Sequence, residues 1–151
     1  MQSESGRAEC RRRAIGPGRR RTGVAAIEPL LNSEGRVKYR GSCHCGKISY
    51  EVEGEIDQVI ECNCSHCSRK GYLLWFVPRD RLHLESPESA MSTYTFNKKQ
   101  IKHQFCPVCG CAPFGFGEHP PGHPTAAINV RCLEGIEPSE LKTVQVDGRS
   151  F

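Results

Sequence analysis

Seven of the chain's ten cysteines fall into three tight groups, and this spacing limits the possible fold more than any other feature. The groups are Cys43-His44-Cys45-Gly46, Cys62-Asn63-Cys64-Ser65-His66-Cys67 and Cys106-Pro107-Val108-Cys109-Gly110. Cysteines one residue apart rarely bridge each other, because the small ring strains disulfide geometry. At CxC and CxxC spacing in a reducing compartment, thiols are better read as metal ligands, and zinc is the metal that favours such sets. Segments some sixty residues apart in sequence must then meet at common points.

Counting ligands divides the groups. Cys43 and Cys45 with Cys106 and Cys109 supply four thiolates, which closes a tetrahedron about an ion whose role is structural. Gly46 and Gly110 each follow a pair and suit a tight knuckle whose amides point at sulfur. Cys62, Cys64 and Cys67 are then left with three thiolates. His44, His66, Cys111 and Cys132 are candidates for a fourth ligand, and an open position is the preferred alternative. Three thiolates around zinc carry a net charge of −1, which blunts Lewis acidity and favours sulfur as the incoming ligand. Arg69 and Lys70 follow directly and would compensate added negative charge, helped by a helical turn beginning near Cys64. An ordinary solvated turn is the competing role for both residues.

The rest of the chain reads as one mostly β domain of short antiparallel strands with little helix. Alternation or apolar runs place strands at residues 47–53, 58–61, 71–77, 82–84, 93–96, 101–105, 127–132 and 143–146. The run Tyr72–Val77 reads as fully buried, with Trp75 and Phe76 in the core or one of them lining a cleft. Residues 112–126 read as a long Gly/Pro loop near the open cluster. It contains His119 and His123 but lacks the Lys-Ser/Thr of a phosphate loop. Residues 138–141 could begin a helical turn.

Residues 1–36 read as a disordered extension, with a helical turn around VAAIEPLL at 24–31. This tail carries the chain's whole net charge of +4, while residues 37–151 hold thirteen basic and thirteen acidic side chains. Nucleic-acid binding is therefore expected only weakly, through the tail. The longest apolar run is six residues, too short to cross a membrane. No apolar segment follows the N-terminal arginines, so the expected compartment is the cytoplasm.

GSCHCG (41–46), CNCSHCSRKG (62–71), FCPVCG (105–110) and INVRCLEG (128–135), supported by LWFVP (74–78) and DGRSF (147–151), resemble the glutathione-dependent formaldehyde-activating family, which shares its domain with centromere protein V. The resemblance covers residues 37–151. It implies a β-tent fold with two zinc ions, one structural at Cys43, Cys45, Cys106 and Cys109 and one catalytic at Cys62, Cys64 and Cys67. It also implies carbon–sulfur lyase chemistry, the condensation of formaldehyde with glutathione or a related thiol. Arg131 could contact a glutathione carboxylate, or form a salt bridge on a strand surface. Cys111 departs from the family pattern. The alternative is a non-catalytic zinc β module that carries a thiol ligand or docks a nucleic-acid or cytoskeletal polymer through the basic tail.

Overall fold

Short runs of β-branched and aromatic residues, each cut off by a glycine, proline or polar turn, produce strands of two to six residues. A computed structural model describes residues 30–151 apart from Asn32. Its strands are β1 (Leu30–Leu31), β2 (Val37–Ser42), β3 (Ser49–Glu53), β4 (Val59–Cys62), β5 (Leu74–Pro78), β6 (Leu82–Leu84), β7 (Ser92–Tyr94), β8 (Lys102–Phe105), β9 (Phe114–Glu118), β10 (Pro124–Asn129) and β11 (Thr143–Val146). One α-helical turn, α1 (Cys67–Lys70), joins β4 to β5 and ends at Gly71 in the left-handed conformation. The mostly β expectation holds.

The strands form two sheets. β1, β2, β3 and β6 make a four-stranded sheet, and β11-β4-β5-β10-β9-β8-β7 a seven-stranded one. All pairings are antiparallel except β11 with β4, which run parallel from Thr143 opposite Val59 to Val146 opposite Cys62. The inward faces enclose a core of Ile48, Tyr50, Val52, Trp75, Phe114, Ile128 and Val130. Tyr50 packs edge-on against Phe114 at 5.0 Å. Tyr50 also lies across the backbone of Gly41, where a Cβ would fall 2.3 Å from its ring.

Four expectations need correction. The run 72–77 is not buried on both faces: β5 alternates, with Trp75 in the core and Phe76 44% exposed. The supposed loop 112–126 is mostly the β9–β10 hairpin, whose connection shrinks to residues 119–123. Gly115 and Gly117 serve the strand there, because β8 passes close enough that a Cβ on Gly115 would lie 3.3 Å from the Lys102 carbonyl. Cys132 does not continue a strand; Val130–Cys132 is a 3-10 turn capped by the Asn129 side chain. At the N-terminal end, Leu30 and Leu31 pair with β2 and are not helical. Residues 1–29, with the expectations made for them, lie outside the described residues.

Candidate metal centres

The four-cysteine group is built from two similar knuckles. Cys43 and Cys45 sit in the turn after β2, and Cys106 and Cys109 in the turn after β8. Each turn closes through a glycine with positive φ, +77° at Gly46 and +76° at Gly110. Gly46 N–H donates to the Cys43 carbonyl at 3.1 Å and Gly110 N–H to that of Cys106 at 2.9 Å. The four Sγ atoms lie within 4.8 Å of one another. Cys43–Cys45 and Cys45–Cys106 are each separated by 3.6 Å. Tetrahedral zinc at about 2.3 Å from sulfur needs sulfurs about 3.8 Å apart, so the set fits.

Amides aimed at sulfur favour the thiolate form that a metal requires. Ile48 N–H reaches Cys43 Sγ at 3.2 Å. The Cys111 and Cys45 amides bring the Cys109 thiol down to about 6. The Cys109 amide likewise lowers Cys106. Cys45 goes up to about 11, because the pull of the Lys47 amide is outweighed by desolvation and by the sulfurs of Cys106 and Cys43.

The second group is assembled locally. Cys62 ends β4, Cys64 lies in the bend that follows, and Cys67 opens α1. Their three sulfurs also lie within 4.8 Å, and no other His, Cys, Asp or Glu among the described residues joins them at that distance. Cys64 N–H points at Cys62 Sγ at 3.5 Å and Cys67 N–H at Cys64 Sγ at 3.4 Å. Burial opposes ionisation of Cys64, but the Cys67 and His66 amides overcome it and lower its pKa. Burial raises Cys67. A Cys₃ set with amide support is soft and anionic, and it too fits zinc.

The four residues considered as a further ligand are placed elsewhere. His44 is exposed. His66 precedes α1 and packs against His103, tilted by 50°, at 4.2 Å between ring centroids. Cys111 packs against the main core, and its carbonyl accepts from Cys106 N–H. Cys132 is raised to about 12 by burial and by the charges of Cys111, Cys43 and Cys109, which places it beside the four-cysteine knuckles.

The segment after β11 covers the three-cysteine group. Asn63 is its anchor: Nδ2 donates to Asp147 Oδ1 at 2.8 Å, and Arg149 N–H donates to Asn63 Oδ1 at 3.2 Å. Gly148 passes so close that a Cβ there would lie 2.3 Å from Cys62 Sγ.

A cleft of about 510 Å³ opens beside Cys62, Cys64 and Cys67. Tyr72, Phe76, Phe96, Phe114 and Phe116 give it aromatic walls, and Lys98, Lys99 and His103 are also part of its lining. Arg69, Lys70 and Arg131 are not among the lining residues. Arg69 donates to the Ser65 carbonyl at 2.6 Å, Lys70 is exposed at the end of α1, and Arg131 Nε donates to the Gly71 carbonyl at 3.0 Å. Of the hairpin histidines, His119 lines the cleft and His123 does not. Phe96, Lys98, Lys99 and His103 went unnoticed in the sequence because they follow no motif spacing. Only the pairing of β7 with β8 turns them toward the cysteines.

His103 is held neutral. Burial first, then the neighbouring His66, brings it from the ordinary 6.5 to about 4. Between those values the unfolded chain binds the proton more readily than the folded one. The protein is therefore expected to lose stability as pH falls from about 6.5 to about 4. His103→Phe, which keeps a ring in the stack, should show a flatter profile over that window when melting temperatures are measured against pH. Parallel profiles would refute the assignment.

A crystal structure of a Rhodobacter sphaeroides protein, determined as a structural genomics target, superposes with a TM-score of 0.62. It is 28% identical, and the match covers 70% of this chain and 99% of that one. The family model described as glutathione-dependent formaldehyde-activating enzyme matches residues 38–145, a span that contains both cysteine groups. The chain belongs to the glutathione-dependent formaldehyde-activating enzyme family.

Proposed function

We propose that the protein is a zinc-dependent carbon–sulfur lyase that joins an aldehyde such as formaldehyde to glutathione or a related thiol, or runs the reverse. The observation that carries this reading is the three-cysteine group. Among the described residues it lacks a fourth protein donor, and it lies against a cleft of about 510 Å³. Cys62, Cys64 and Cys67 would hold a catalytic ion and Cys43, Cys45, Cys106 and Cys109 a structural one. The catalytic ion, when bound, supplies a positive centre with affinity for sulfur.

The chain's own residues do the remaining work. The amides of Cys67 and His66 spread the charge of the ligand thiolates. The aromatic walls restrict how a small aldehyde can approach a thiol held in the cleft. In the bond-forming direction the thiol sulfur attacks the carbonyl carbon, and the C=O π pair moves onto oxygen. The proton released by the thiol ends on that oxygen, so no further reactant is needed.

Cys64→Ser is the direct test. Metal content should fall from two ions per chain to one while the fold persists, and thiol-dependent turnover should drop by about 10²-fold or more. Unchanged turnover in a variant that has lost one metal would overturn the reading.

A further inference from the structure

The turn between β7 and β8 carries two lysines against the cleft, and nothing in the chemistry above uses them. Lys98 and Lys99 are exposed, line the cleft, and form no ion pair among the described residues. The other acid–base side chains of the cleft wall, apart from the cysteines and tyrosine, are His103, His119 and Glu118. One Glu118 carboxylate oxygen accepts from Gly122 N–H at 2.9 Å. The two lysines thus outnumber the one carboxylate side chain of the lining, and the walls are mostly apolar.

The turn's shape and mounting are specific. Asn97 and Lys99 adopt positive φ, 51° and 56°, and Lys99 N–H donates to the Phe96 carbonyl at 2.9 Å. Asparagine tolerates that region, and lysine is uncommon in it. Phe96, which accepts that bond, belongs to a ring stack. Phe96 lies 5.3 Å from His103 and 5.8 Å from Tyr94, nearly parallel to both, and 5.4 Å from His66. His66 immediately precedes Cys67, so the stack links the lysine turn to the three-cysteine group.

We propose that Lys98 and Lys99 form a carboxylate-recognising subsite, which selects anionic thiols by holding their carboxylates while the sulfur lies toward Cys62, Cys64 and Cys67. Glutathione, with two carboxylates, is of this class, and 2-mercaptoethanol is not. The inference rests on the proposed thiol chemistry for the sulfur end alone; the lysine end makes its own prediction.

The test is calorimetric titration of the zinc-loaded full chain with glutathione and with S-methylglutathione, which keeps both carboxylates but has no free thiol. Lys98→Ala/Lys99→Ala should weaken both ligands by about tenfold, and Lys98→Arg/Lys99→Arg should restore most of the loss. Kinetically, KM for glutathione should rise while kcat holds within about twofold, and KM for 2-mercaptoethanol should stay constant. Equal binding by the alanine variant and the wild type, or no binding of either tripeptide to the wild type, would overturn the subsite. A different result would count against the lyase reading alone: lysine-dependent binding of S-methylglutathione, with glutathione affinity and turnover untouched by Cys64→Ser.

Discussion

Replacing Cys106 by serine is expected to unfold the domain and to lower its metal content. Cys106 is fully buried, as is Cys43 at 1% exposure, so neither can be replaced by a solvated group. The two knuckles also belong to different sheets. Cys43 and Cys45 connect β2 to β3 in the four-stranded sheet, whereas Cys106 and Cys109 connect β8 to β9 in the seven-stranded one. Their shared ion would therefore fasten one sheet to the other. Structural zinc contributes about 10–16 kcal/mol in small peptides, which is as large as the roughly 5–15 kcal/mol net stability of a whole domain. A serine hydroxyl is a poor zinc ligand and would leave three thiolates crowded without their ion. Circular dichroism melting with metal counting checks this. A variant that melts within a few degrees of the wild type and retains two ions would show that the knuckles are not the clamp.

The second large effect is expected from Gly148→Ala, a change outside both cysteine groups. The added methyl would sit 2.3 Å from Cys62 Sγ and 3.0 Å from Cys64 Cβ, so either the sulfur or the covering segment must move. The segment is held by Asn63: besides the side-chain bonds, Arg149 Nε donates to the Asn63 carbonyl at 3.1 Å. A displacement of the order of 1 Å at a reacting centre costs about 10²-fold in rate. The fold should suffer less, by about 1–3 kcal/mol of overpacking. After cobalt substitution, the absorption bands of the three-cysteine site should shift while those of the four-cysteine site stay in place. Wild-type turnover with unshifted spectra would mean that the segment after β11 does not bear on the ligands.

The division of the cysteines was legible because ligand chemistry is local and countable. A CxC and a CxxC make a closed set, and the sulfurs converge in that way. Strand positions with clean alternation, such as β3, β6 and β11, were also legible. The β9–β10 hairpin was not, because Gly115 and Gly117 look like loop residues until β8 is seen lying against them. The role of Phe76 was obscured in a similar way: an unbroken apolar run gives no sign that one member faces a cleft. Lys98, Lys99 and His103 carry no local signature, since their position depends on pairing across a turn and on ring contacts reaching back to His66. The recognisable motifs record where the candidate ligands are, while the cleft that would select a substrate comes from tertiary pairing.

The parallel pairing of β11 with β4 also bears on how the protein is made. Cys62, Cys64 and Cys67 lie side by side and can gather early on the ribosome, but Asn63 meets Asp147 only after a further 84 residues. Throughout that interval the three thiols stand without their cover, open to oxidation or to a wrong metal. A cell making this protein would have to keep the nascent thiols reduced until its last strand has docked.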